Sequence, residues 1–154
     1  MLTKTIAPGV RLCTHKTEQF KTSVISFNIV TDLDENPGKK ALLLNLLART
    51  SKAYPTITAM NRRLAELYGA VITPVVRKIG DAQVLSLVLV CLDDRFSLGG
   101  EKILEEGIRL LSGCLFMPDI TPEGFKEDNI KREKRLLKEK IDSEKDDKRI
   151  YALN

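Results

Sequence analysis

The spacing of apolar and polar positions changes period several times along the chain, and each change marks an element. Gly9–Lys16 alternates apolar with polar residues, as a half-buried strand does. After the polar stretch Lys16–Lys21, Thr22–Thr31 carries Val24, Ile25, Phe27, Ile29 and Val30 and reads as a second strand. The two are expected to pair as a hairpin with a loose turn. Asp32–Gly38 is rich in turn residues and leads into Ala41–Arg49, where apolar residues fall on every side. Such a helix is buried on most faces. Asn36-Pro37 starts it, with a side-chain oxygen to cap the free amides and proline at the first helical position. Tyr54-Pro55 ends it, because the residue before proline avoids helical angles.

The second half repeats this logic. Ile57–Tyr68 places Ile57, Met60, Leu64 and Leu67 on one stripe, with Gly69 positioned to terminate the helix. Ala70–Ile79 contains Pro74 and therefore belongs at a sheet edge. Gly80-Asp81 makes a tight turn, and Val84–Leu92 is apolar almost throughout, as a strand covered on both faces would be. Leu98–Phe116 is a third helix with Leu104, Ile108, Leu111 and Leu115 as its buried stripe, closed by Pro118. Thr121-Pro122-Glu123 opens a long charged helix with Ile130, Leu137 and Ile141 inward. The order ββααββαα predicts an α+β domain, an antiparallel sheet with helices packed on one face. Arg149-Ile150-Tyr151-Ala152-Leu153-Asn154 still reads as helix without a stop signal, so the natural chain is expected to continue.

Composition narrows the function. A chain of 154 residues suffices for one domain with a sizeable core. Its net charge of +4 comes from 25 basic and 21 acidic residues interspersed along the sequence, too mild a field to imply nucleic acid. Lys126–Arg149 mixes both signs, which favours a salt-bridged exposed face. Cys13, Cys91 and Cys114 are far apart, and two of them lie in apolar runs. Reduced thiols in a cytoplasmic protein are the expectation, with no membrane span and no leader.

No catalytic constellation emerges from the residues themselves. His15 is the single histidine, and its place at a strand end beside lysine reads as solvated surface. The cysteines lack metal-ligand spacing, and no phosphate loop or nucleophile elbow is present. The pairs Asp93-Asp94 and Asp146-Asp147 read as solvated turn or helix-surface carboxylates. Asn45 stands out as a polar side chain at the centre of the most apolar helix. Unpaired burial there costs about 1–3 kcal/mol, so it is expected to bond a neighbouring backbone group.

The order of elements and the residues around Asn45 resemble the N-terminal domain of the pitrilysin/insulinase-type metallopeptidases, which include the mitochondrial processing peptidases. Active members of that family carry His-x-x-Glu-His on the first helix. Two histidines four apart share a helical face and bind zinc, and the glutamate serves as general base. Asn45-Leu46-Leu47-Ala48-Arg49 occupies that place here, with Asn45, Ala48 and Arg49 where the family has histidine, glutamate and histidine. Arg132-Glu133-Lys134-Arg135-Leu136-Leu137-Lys138-Glu139 resembles the segment supplying the third ligand, with Glu139 as its equivalent. Gly69-Ala70-Val71-Ile72-Thr73 lacks the asparagine with which active relatives grip substrate backbone.

The resemblance implies a partial N-terminal domain spanning 1–154, without a catalytic residue and without zinc, in which Arg49 pairs with Glu139. It further implies a structural or substrate-binding subunit that acts on a peptide or protein substrate beside an active homologue, as a heterodimer. The alternative is a zinc peptidase whose site is relocated or completed elsewhere. Leu-Tyr-Gly-Ala at 67–70, Gly80-Asp81 and the Asp146-to-Ala152 ending look most like the bacterial non-catalytic branch.

Overall fold

A computed structural model describes residues 1–33 and 36–146, with side chains of the last helix followed as far as Ser143. Its elements are β1 (Leu2–Ala7), β2 (Val10–Thr14), β3 (Thr22–Asp32), α1 (Pro37–Arg49) and α2 (Ile57–Glu66). β4 (Val71–Ile79), β5 (Ala82–Leu92), α3 (Ile103–Phe116) and α4 (Glu127–Asp146) complete them. The fold is α+β with antiparallel sheets.

The strands divide into a β1-β2 hairpin and a three-stranded sheet in the order β3-β5-β4. This corrects the expected hairpin between Gly9–Lys16 and Thr22–Thr31. β2 turns back on Leu2–Ala7 through the Pro8-Gly9 corner, whereas β3 pairs along its whole length with β5. Apolar alternation marks a strand without saying which partner it takes, and Leu2–Ala7 is interrupted by polar residues at Thr3-Lys4-Thr5. Pro74 does place β4 at the edge, and β5 is central. Gly80 takes φ +59° at the first position of the two-residue turn joining them.

β5 is covered by helices on one face, and on the other only Ser86 is buried, beside Asn28 of β3, contrary to the reading of a strand covered on both faces. Gln83, Leu85, Leu87, Leu89 and Cys91 are buried under the helices, while Val84, Val88 and Val90 remain partly open on the other side. Val90 lies opposite Val24 of β3 and Val71 of β4, both exposed. Helices therefore pack on one face, as the order of elements implied.

The core joins Leu87 and Leu89 of β5 to Leu44 and Ala48 of α1, Met60 of α2, and Ile103, Leu110, Leu111 and Cys114 of α3. Each leucine-sized side chain removed from water contributes about 1.5–3 kcal/mol. The stripe of α3 differs from the expected one: Leu104 and Ile108 are exposed, and the sheet-facing positions are Ile103, Gly107, Leu110, Leu111 and Cys114. Gly107 gives the reason. A β-carbon there would meet Ile25 Cδ1 and Leu89 Cδ2 at 3.1 Å, so the missing side chain lets the helix press against β3 and β5.

Helix ends depart from expectation in three places. Asn36 occupies the N-cap of α1 without a side-chain cap hydrogen bond, with proline in the first turn. α3 begins at Ile103 rather than Leu98, after a short 3-10 turn at Asp94–Phe96. Thr121–Gly124 closes on itself, so α4 begins only at Glu127, and Ile141 is exposed near its end. Gly69, with φ +75°, follows α2 as expected, and Leu64 O and Ala65 O accept from its amide. Asp34-Glu35 in the connection to α1 and the Asp147–Asn154 ending lie outside the described residues.

Two predictions concern this core. Gly107→Ala gains about 1 kcal/mol of helix propensity but overpacks a filled interface at a cost of about 1–3 kcal/mol. A net loss of about 1 kcal/mol is expected by urea denaturation, and unchanged or higher stability would show that α3 lifts freely. Burial pushes the Cys91 and Cys114 thiols up to about 11, with Asp94 and Asp93 adding to the effect at Cys91. These thiols hold their protons more firmly folded than unfolded, where such a group titrates near 8.5. Their stabilising contribution is complete below that pH and is lost as pH rises towards 11. Denaturation midpoints should fall over that window, and a thiol reagent at pH 8 should modify exposed Cys13 while sparing the other two.

Candidate functional site

Four positions, Asn45, Ala48, Arg49 and Glu139, are expected to carry a degenerate motif, and the structure separates them. Asn45 and Arg49 lie one helical turn apart on the last turns of α1. Asn45 is half-buried and, among the described residues, its side chain makes no hydrogen bond, so the expected backbone partner is absent and partial exposure leaves the side-chain amide to solvent. Ala48 is buried in the core cluster. The methyl group packs where a glutamate would need a polar neighbour.

Arg49 finds its carboxylate on α4, but at Glu133 rather than Glu139. Arg49 Nε stands 3.2 Å from Glu133 Oε1. Glu139 instead faces outward and pairs with Arg135 at 3.6 Å, both side chains well exposed. The expected Arg49–Glu139 pairing is therefore corrected, and helical spacing supplies the reason. Ile130, Glu133 and Leu137 are three and four residues apart and form the inward stripe of α4, whereas Glu139 is two beyond Leu137 and points away. A carboxylate sitting on an apolar stripe is the sequence signal that could have pointed to Glu133.

Glu133 is only 1% exposed. A charge so placed needs compensation, since the effective cost of desolvating an ion is several kcal/mol even after relaxation. Two guanidiniums supply it, because Arg132 Nε also lies 3.5 Å from the same oxygen. Neither contact has aligned hydrogen-bond geometry, and the attraction is mainly between charges. Arg132 is held in turn by donating from Nη2 to Asn129 Oδ1 at 3.3 Å. Around the cluster, Thr50 and Ser51 are buried, and the Ser51 amide and Tyr54 carbonyl share a hydrogen bond of 3.0 Å. The Lys52 amide donates to Met117 O at 2.8 Å, fastening the end of α1 to that of α3.

These residues do not fit a zinc ion. Asparagine is a poor zinc ligand, alanine is none, and the Arg49 charge would oppose a dication beside Glu133. Among the described residues, no group of three or more His, Cys, Asp or Glu side chains converges as a metal-binding set. The arrangement holds a carboxylate between two cations and leaves the outer face of Arg49 in a pocket against α2 and β4.

Comparisons with known proteins agree with a chain related to an inactive metalloprotease. The chain is similar to a Bacillus subtilis (strain 168) protein named probable inactive metalloprotease YmfF, with 31% identity over 138 residues. That match covers 89% of this chain and 32% of the relative. It is also similar to the crystal structure of a conserved protein from Enterococcus faecalis V583, with a TM-score of 0.78 and 32% identity. There the match covers 88% of this chain and 32% of the other. The chain thus spans about a third of the length of these relatives. No protein-family model matches it. No helix among the described residues is long and apolar enough to cross a membrane.

The half-buried pair makes a stability prediction. Arg49→Met leaves Glu133 facing only Arg132 and should cost about 1–3 kcal/mol, less than the loss of a fully buried pair because Arg49 is half exposed and Arg132 remains. Arg135→Gln removes an exposed helical pair and should change stability by less than about 0.5 kcal/mol. Urea denaturation of both variants reads the difference, and equal effects would mean that Glu133 is not held by Arg49.

Proposed function

We propose that this chain is part of a catalytically inactive homologue of the pitrilysin-type zinc peptidases. In this reading it is a structural or substrate-binding subunit that works in the cytoplasm beside an active metallopeptidase. The observation that carries the proposal is the Arg49–Glu133 ion pair, which stands where active relatives would place a histidine ligand and its metal. The similarity to a protein named as an inactive metalloprotease supports it.

The physical logic is one of substitution. An active site of this type needs two imidazoles on one helical face, a third ligand from another helix and a carboxylate to activate water. Here a guanidinium bridges the same two helices and contributes a cation that neither polarises a carbonyl as a Lewis acid nor lowers the pKa of a water. What such a domain retains is shape. α1, α2 and the β4 edge still form a wall against which a polypeptide could lie, and an active partner would supply the chemistry.

The test is enzymatic and associative together. The purified protein should hydrolyse no peptide in a chelator-sensitive manner. When co-expressed with a homologue that retains His-x-x-Glu-His, it should co-purify as a stoichiometric complex. Chelator-sensitive hydrolysis by the protein alone would overturn the proposal, and so would failure to associate with any such homologue.

A further inference from the structure

Beside the ion pair lies a pocket that has what a peptide carboxylate needs. Glu133 engages Arg49 through Nε, and among the described residues the two Nη groups have no protein acceptor. The Arg49 side chain is 47% exposed and lines a cavity of about 150 Å³ together with Asn61, Ile57, Met60, Leu64 and Ile72. No acidic residue lines this cavity. Arg49 and Arg132 share the single carboxylate of Glu133, so the cluster behind the pocket carries one positive charge in excess. Glu133 also fixes the guanidinium in place, which lowers the cost of ordering it around a ligand.

We propose that this pocket binds the C-terminal carboxylate of a peptide ending in a bulky apolar residue. The Arg49 Nη groups would donate to the carboxylate, an ionised acceptor that strengthens each hydrogen bond and suits the planar guanidinium fork. Asn61, an exposed side chain of α2 with no hydrogen bond among the described residues, offers a further donor at the rim. The apolar wall formed by Ile57, Met60, Leu64 and Ile72 receives the terminal side chain. A cavity of this volume holds a benzene-sized group. In a terminal residue the carboxylate and the side chain share one α-carbon, so both can reach a pocket whose cation and apolar wall are adjacent. An internal aspartate or glutamate separates its charge from any neighbouring apolar side chain by a stretch of backbone. The inference rests on the substrate-binding reading above and gives it a ligand class.

Calorimetric titration at low salt with three acetylated tripeptides tests it. These are alanyl-leucyl-phenylalanine with a free carboxylate, the same peptide as its carboxamide, and alanyl-aspartyl-phenylalanine as its carboxamide. The free acid should bind at least tenfold tighter than either carboxamide, and the preference should weaken as salt rises. The double variant Arg49→Gln with Glu133→Gln leaves no buried carboxylate unpaired and should abolish the preference. Equal binding of acid and amide by the unaltered protein would overturn the site, as would no binding at millimolar peptide or a preference that survives in the double variant. Tight binding of the aspartyl carboxamide would overturn the assignment to a chain terminus. None of these outcomes bears on peptidase activity, so the silent-subunit reading stands or falls separately.

Discussion

A carboxylate buried between two helices governs this structure. Glu133 is removed from water on α4, and its charge is tolerable because Arg49 reaches across from the end of α1 while Arg132 closes from the adjacent position. The net contribution of such a pair to stability can be small, because desolvation offsets most of the attraction. Its consequence for specificity is larger. Without Arg49, the buried Glu133 would keep only Arg132 from its own helix, so the register of α1 against α4 is tied to the Arg49–Glu133 contact. In the proposed reading, the same contact takes the place of a metal-centred bridge between the two helices.

Positioning of that contact depends on the sheet. β5 presents Leu85, Leu87 and Leu89 to the helices, and α1 and α3 lie on them with Ala48 and Gly107 as the small residues that permit close approach. The loop between α1 and α2 is fixed by the Ser51–Tyr54 and Lys52–Met117 hydrogen bonds, which orient the last turn of α1. Arg49 in that last turn also complements the negative end of the helix dipole. Local sequence, core packing and the ion pair therefore favour the same arrangement.

Much of the fold was legible because it follows from local chemistry. Pro74 marked an edge strand, Gly80-Asp81 a hairpin turn and Gly69 a helix stop, each through backbone geometry. Pairing across distance was not legible. β3 joins β5 across the intervening helices, and nothing in the alternation of Thr22–Thr31 distinguishes that partner from β2. The stripe of α3 was misjudged because a glycine counts as neutral in a periodicity argument, whereas Gly107 is the point of closest approach. At the candidate site, the resemblance drew attention to Arg49, while choosing between Glu133 and Glu139 as its partner required attention to which face of α4 turns inward. That choice was available from the spacing of Ile130, Glu133 and Leu137, and the motif pattern obscured it.

In the proposed reading, the Arg49–Glu133 contact stands where active pitrilysin-type peptidases would grip zinc. Diffraction at the zinc absorption edge from crystals soaked in zinc chloride addresses it directly. The account predicts an anomalous difference map without a peak between α1 and α4, and density of the Arg49 guanidinium running onto Glu133. A peak coordinated by Glu133, with Arg49 swung aside, would contradict it.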